Sequence, residues 1–285
     1  MNLKRITLFF LVLILSFFCN FTSIAEENLL ALGDHFSKLG NYDAAITEYK
    51  RFLFFHPDDA RAASAYQKIG IAYRTQGLWQ EAISTLRNAV LHALNHEEKS
   101  EYQLELAVTL IASQNYDLAR FELIRVAMRT TSGPLYQRAL FLQAVVYVYQ
   151  FQWEEALEVL RHYTADERLD KLLEEAVNLP QKSPKVAKVL SAILPGAGQV
   201  YAGNWRDGLN ALALNGVFGF VAVDSVLDRH YVNAVTWTYF IFQRYYLGNL
   251  YQAGKAVDDF NDDTSRRAAD EILKRLQEIV DTPKR

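Results

Sequence analysis

Between residues 28 and 163 the large apolar side chains recur at spacings of three and four, in runs broken by short polar turns. That pattern predicts amphipathic helices rather than strands. Superimposed on it are three columns of matched residues: Gly33, Gly70, Ala107 and Ala144; Ala45, Ala82, Ala119 and Ala156; Tyr42, Trp79, Tyr116 and Trp153. Every step along each column is 37 residues. Small residues at two fixed points allow two antiparallel helices to approach closely. The aromatic column lies just after turns such as Leu39-Gly40-Asn41 and Gln76-Gly77-Leu78, so it marks the start of each second helix. Residues 26–165 are therefore expected to form four helix-turn-helix units stacked as a solenoid.

These units resemble the tetratricopeptide repeat. The first matches its consensus in Leu32, Gly33, Phe36, Ala45, Tyr49 and Pro57, and the second in Ile69, Gly70, Tyr73, Ala82, Leu86 and Ala89. The third and fourth are looser, with alanine for the first glycine and Gln143 where an apolar residue is expected; the long period implies insertions between units. The resemblance implies that first helices line a concave groove for peptide segments. By register the groove positions are Leu30, Asp34, Ser37, Gln67, Ile71, Arg74, Leu104, Val108, Ile111, Phe141, Val145 and Val148. Family members that clamp a terminal carboxylate present lysine and asparagine there, and this chain does not. The stretch Leu135 to Tyr149 is apolar almost all round, so both its faces are expected to be covered, by later segments of this chain or by a hydrophobic partner helix.

Residues 166–185 read as a polar linker or capping helix, and composition shifts near residue 184 toward glycine and long apolar runs. The run Pro195-Gly196-Ala197-Gly198-Gln199-Val200-Tyr201-Ala202-Gly203 lacks both dinucleotide glycine spacing and a Walker lysine. With the apolar segments after it, the run resembles small bacterial membrane domains bearing such a turn, over residues 186–255. Gly208 to Val223 and Val232 to Phe242 predict a hydrophobic helical hairpin turning between Arg229 and His230. In an antiparallel pairing Asn215 and Arg244 stand equally far from the turn and would meet, while Gly216 and Gly219 would permit close packing. Each segment is short for a bilayer core of about 30 Å, and the basic residues of the tail oppose the simplest topology. Two readings stay open, a membrane hairpin and a soluble bundle docked on the solenoid. Residues 256–285 complete the chain as an amphipathic helix, the apolar period being clearest from Thr264 to Val280.

Residues 1–25 join Lys4 and Arg5 to the apolar stretch Ile6 to Phe18 and to Ser23-Ile24-Ala25, the layout of a signal peptide, cleaved or kept as an anchor. The lone Cys19 falls inside it behind Phe17-Phe18, which does not fit a lipoprotein signal. An exported protein on the periplasmic side of a bacterial cell envelope follows, associated with the membrane. A formal charge of −3 without a basic, aromatic-rich cluster argues against nucleic acid as a partner.

Catalytic chemistry is not suggested, and no cofactor or metal is expected. His92 and His96 have a spacing metal ligands use on one helical face but lack a third ligand, and Asp258-Asp259 with Asp262-Asp263 reads as a polar helix start without a calcium-loop glycine. The expected fold is all-α: a tetratricopeptide-like right-handed solenoid, a hydrophobic hairpin and a terminal amphipathic helix. The expected function is non-enzymatic scaffolding of a protein partner in the groove, with the hairpin and the turn residues Pro195, Gly196, Gly198, Gln199, Tyr201 and Gly203 setting location. The alternative is an accessory subunit of a membrane assembly or transport system whose hairpin carries the function.

Overall fold

The computed structural model describes residues 28–281. The signal peptide expected over 1–25, Cys19 included, and the last four residues lie outside them. The described residues are helical throughout, and the chain divides into two compact units, Met1–Ala165 and Asp166–Arg285.

The first unit is a solenoid of four helix pairs: α1 (Asn28–Lys38) with α2 (Tyr42–Phe55), α3 (Ala62–Thr75) with α4 (Trp79–His92), α5 (His96–Ala112) with α6 (Tyr116–Arg129), and α7 (Pro134–Tyr149) with α8 (Trp153–Tyr163). Each second helix starts on its aromatic residue, as the 37-residue period requires. The preceding turn takes a left-handed residue every time, at Gly40, Gly77, Gln114 and Phe151. Only the first two are glycine, which bears that conformation without a Cβ clash.

The small columns work as contact points. A Cβ on Gly33 would run into the Tyr49 ring, and one on Gly70 would lie 2.5 Å from Leu86 Cγ. Tyr49, Leu86, Leu123 and Leu160 repeat at the same period and are all fully buried, as are Ala45, Ala82, Ala119 and Ala156. The bulky residue of each second helix thus fills the gap left by a small residue on the first, close packing that deletes voids and fixes the crossing.

The second unit holds α9 (Glu167–Val177), α10 (Pro184–Ile193), the short α11 (Ala197–Ala202), α12 (Trp205–Leu227), α13 (Tyr231–Thr236) and α14 (Gln243–Asp281). Ser183 caps α10 by accepting from the Val186 N–H, with Pro184 in the first turn where its missing N–H costs nothing. Asp166 caps α9 through the Leu169 N–H at 2.8 Å and is gripped by the Arg275 guanidinium of α14.

Four expectations change. Residues 166–185 are not a link outside the domains: α9 packs on α14, and the division falls at Ala165/Asp166 rather than near 184. The second arm of the hairpin and the terminal helix are one helical run from Tyr231 to Asp281, which widens to π geometry over Trp237–Phe242. Asp258, Asp259, Asp262 and Asp263 therefore sit inside α14 and start nothing, their carboxylates being solvated on its exposed side. His92 ends α4 and His96 begins α5, with Ala93-Leu94-Asn95 breaking the helix, so they do not share a face.

Candidate functional site

In the solenoid the charged groove positions, Asp34 and Arg74, are already engaged. Lys68 Nζ donates to both Asp34 oxygens at 2.7 Å, and the Tyr49 hydroxyl donates to Asp34 Oδ1 at 2.7 Å. Burial pushes the Asp34 carboxyl up, and these donors more than offset it, holding it below the usual range. Arg74 Nη1 donates to Glu105 Oε2 at 3.0 Å and Arg138 Nη2 to Glu105 Oε1 at 2.7 Å. Burial raises the Glu105 carboxyl too, but the two guanidinium groups lower it overall. The first helices of successive pairs are thereby tied by ion pairs, from Asp34 to Lys68 and from Arg74 through Glu105 to Arg138.

The apolar groove positions divide. Leu104 and Val148 are completely buried and belong to the core, which corrects the expectation that they face a partner: a helix face that lines a groove at one turn turns inward at the next. Leu30, Ser37, Gln67, Ile71, Val108, Ile111, Phe141 and Val145 are half-buried, with Leu30 and Ile111 against core clusters and the Phe141 ring 5.5 Å from that of Tyr163. Sequence reasoning missed a second row. Phe54, Leu91 and Met128 are one period apart at the ends of the second helices and are 80%, 76% and 77% exposed. The period could have found them.

In the second unit every residue of the predicted turn has a structural task. Gly196 and Gly203 adopt left-handed backbone, and a Cβ on Gly196 would strike the Gly208 carbonyl. A Cβ on Gly198 would strike the Ala187 carbonyl, and the Gly198 N–H donates to Ser191 Oγ at 2.9 Å. Ser191 Oγ donates in turn to Gln199 Oε1 at 3.1 Å. The Gln199 amide and the Gly196 N–H both donate to Asn249 Oδ1, at 3.0 and 3.1 Å, and Asn249 Nδ2 donates to the Ser191 carbonyl at 3.2 Å. This buried, closed network locks α10, α11 and α14 together. The Tyr201 hydroxyl accepts from the Ser183 N–H at 3.3 Å, and Pro195 stops α10. Nearby, Asn261 donates to the Lys182 carbonyl and accepts from its N–H, while the Lys182 ammonium sits 3.5 Å over the Phe260 ring. Asn249 carried no sequence signal, since its partners lie about fifty residues away.

Among the described residues one helix, α12, is long and apolar enough to cross a membrane, and almost none of it is buried. Its 23 residues exceed the segment expected from Gly208 to Val223 and reach about 34 Å at 1.5 Å per residue. Gly216 is in open surroundings, so it is not a close-packing contact. Between α12 and the first turns of α14 lies a cavity of about 610 Å³, lined among others by Asp207, Asn215, Arg244, Gly248, Lys255 and Asp259. Asn215 and Arg244 do line one site, but no hydrogen bond joins them: Asn215 Nδ2 donates to the Ala211 carbonyl at 2.8 Å and its enclosed Oδ1 has no partner.

The first unit is thus an all-α solenoid of tetratricopeptide-like helix pairs, followed in the chain by a helical unit organised around a glycine-rich turn. The family model described as tetratricopeptide repeat matches residues 30–66 and 68–134. No curated protein matches the chain. Among solved structures, a tetratricopeptide repeat protein from Parabacteroides merdae ATCC 43184 is similar at 12% identity and a TM-score of 0.46, over 91% of this chain and 94% of that one. YrrB, described as "a TPR protein with an unusual peptide-binding site", is similar at 18% identity and a TM-score of 0.42, over 68% of this chain and 89% of that one. The Rap conjugation gene regulator of the plasmid pLS20, solved with the Phr* peptide, is similar at 16% identity and a TM-score of 0.41, over 92% of this chain and 77% of that one.

Proposed function

We propose that this protein is a non-enzymatic scaffold of the bacterial cell envelope, whose tetratricopeptide repeats capture a protein partner and whose C-terminal unit holds it at a membrane. The observation that carries the reading is α12, a long apolar helix left almost wholly uncovered in a chain whose other half is a repeat array. Water does not tolerate so large an apolar face without an occupant, and a bilayer is the occupant that a helix of this length fits. The signal-like pattern of residues 1–25 supports export to the periplasmic side. The half-buried groove residues Val108 and Val145 supply apolar contact area for a peptide segment, and the ion pairs beside them hold the first helices in register.

Alkaline extraction of membranes, with protease treatment of spheroplasts in parallel, tests location. Retention of the full chain in the membrane and cleavage of the repeats from outside are expected; release of the full chain by alkali would reject the anchor. For the groove, Val108→Asp combined with Val145→Asp should abolish partner capture while circular dichroism stays unchanged. Undiminished capture by that folded variant would remove the groove from the proposal.

A further inference from the structure

The outer face of α6 departs from that of the other second helices. Leu118, Phe121, Ile124 and Met128 are 48%, 57%, 39% and 77% exposed. At about 100° per residue they fall within one face about 120° wide. One period earlier the first three of these positions hold Glu81, Ser84 and Arg87, and one period later Glu155, Glu158 and Arg161, all of them exposed. Packing of the repeat therefore does not call for apolar side chains there. The four side chains of α6 expose on the order of 400 Å² together, the size of the largest apolar patch on a typical soluble monomer, where such patches are often functional.

Two charged residues share the face. Asp117 stands at its start with its side chain 81% exposed, and Arg125 stands toward its end, 43% exposed. Their ties within α6 are long, 3.3 Å from Asp117 to Arg120 and 3.6 Å from Arg125 to Glu122, and Gln150 also donates to Asp117 at 3.2 Å. We infer that this face is the contact between two copies of this chain, packed about a two-fold axis with the two α6 helices antiparallel and Phe121 on the axis. Leu118 and Ile124 lie three residues either side of Phe121, and Asp117 and Arg125 lie four. The axis therefore sets Leu118 against the partner's Ile124 and Asp117 against the partner's Arg125, each pair formed twice, as a self-complementary interface requires. A parallel arrangement would oppose like charges, and a lipid surface would have to strip both charges of water. A standard interface takes roughly 800 Å² from each partner, so the patch supplies about half as apolar core, with Glu81, Arg87, Glu155 and Arg161 of the flanking helices as polar rim. The surface is separate from the groove, which the first helices line, and its pairing needs no membrane.

The test is cross-linking of the full chain in cells with a short bifunctional maleimide, with Cys19→Ser so that an introduced cysteine reports alone. Phe121→Cys should give a band at twice the mass of the chain, and Glu101→Cys, exposed on α5, should give none. Adding Asp117→Arg to Phe121→Cys opposes like charges at both ends of the contact and should lower the cross-linked fraction at least about tenfold. Adding Arg125→Asp as well returns opposite charges to each pair and should recover it. All these changes fall at exposed positions, and circular dichroism checks that the fold is kept. Equal cross-linking at the two cysteine positions, no dimer band, or a charge exchange that does not restore it would overturn the pairing. A cross-linked band at any other mass would assign the face to a different protein, and shielding of Phe121→Cys from a soluble maleimide without any band would assign it to a lipid surface; either result overturns self-association.

Discussion

Gln199 and Asn249, fifty residues apart in the chain, share a buried hydrogen bond of 3.0 Å from the glutamine amide to the asparagine carbonyl oxygen. The same oxygen takes the Gly196 N–H, and the asparagine amide returns a bond to the Ser191 carbonyl. Asn249→Ala would strand the Gly196 N–H and the Ser191 carbonyl, while the Gln199 amide keeps its 3.3 Å bond to the backbone carbonyl of residue 249. At about 1–3 kcal/mol for each orphaned group, the second unit should lose about 2 kcal/mol or more. Hydrogen exchange of the amides in α10 and α11 would register the loss; unchanged protection would show that the network contributes nothing.

Gly70→Ala places a methyl group 2.5 Å from Leu86 Cγ, within a helix pair whose crossing is set by that contact. Overpacking of this kind costs about 1–3 kcal/mol. Combining it with Leu86→Ala should recover part of the loss, giving a coupling of at least about 0.5 kcal/mol in a double-mutant cycle by chemical denaturation. Additive effects would mean that the two side chains do not meet.

Gln114 and Phe151 occupy left-handed turn positions, at φ 61° and 57°, where the first two units carry glycine. Gln114→Gly should stabilise the third unit by about 0.5–1 kcal/mol, the relief of a Cβ clash less the added freedom of the unfolded chain. Phe151→Gly should gain less, because the Phe151 ring packs 5.6 Å from the Trp153 ring and that contact is lost. Urea denaturation of both variants separates the two cases, and a destabilised Gln114→Gly would contradict the strained geometry.

Glu105 titrates below its ordinary range because Arg138 and Arg74 outweigh its burial. Its folded-state pKa is depressed, so the unfolded chain binds the proton more readily. The stabilisation is complete above the unfolded value of about 4.3 and is lost as the pH falls through the lower folded value. Glu105→Gln should lower stability at neutral pH and flatten the acid limb of the stability profile below about pH 4.3. Parallel limbs for the two proteins would exclude Glu105 as a contributor.

The repeat columns made the solenoid readable because each column reports a contact inside one helix pair, between residues sixteen apart such as Gly33 and Tyr49 or Gly70 and Leu86. The start of every second helix at Tyr42, Trp79, Tyr116 and Trp153 was legible for the same reason. The glycine-rich turn was visible as a motif, yet its purpose was not, since Gly196, Gly198 and Gln199 depend on Asn249, Ala187 and Gly208. Leu104 and Val148 were misplaced because register within a repeat does not say how deeply a neighbouring helix covers a residue. The extension of the second hydrophobic segment into the tail was not legible because the chain turns polar after Phe242 and Gly248 and Gly254 read as breaks, whereas α14 carries both within it.

That uninterrupted run from Tyr231 to Asp281 is a rigid shaft. α14 alone is 39 residues, roughly 58 Å at 1.5 Å per residue. At its start it carries Arg244, two turns in Asn249 fastens it to the glycine-rich turn, at its middle Asn261 fastens it to Lys182, and towards its far end Arg275 grips Asp166, the cap of α9. Along that run the departure from α-helical geometry is the π-widened segment at Trp237–Phe242, so a bend in the shaft is expected there.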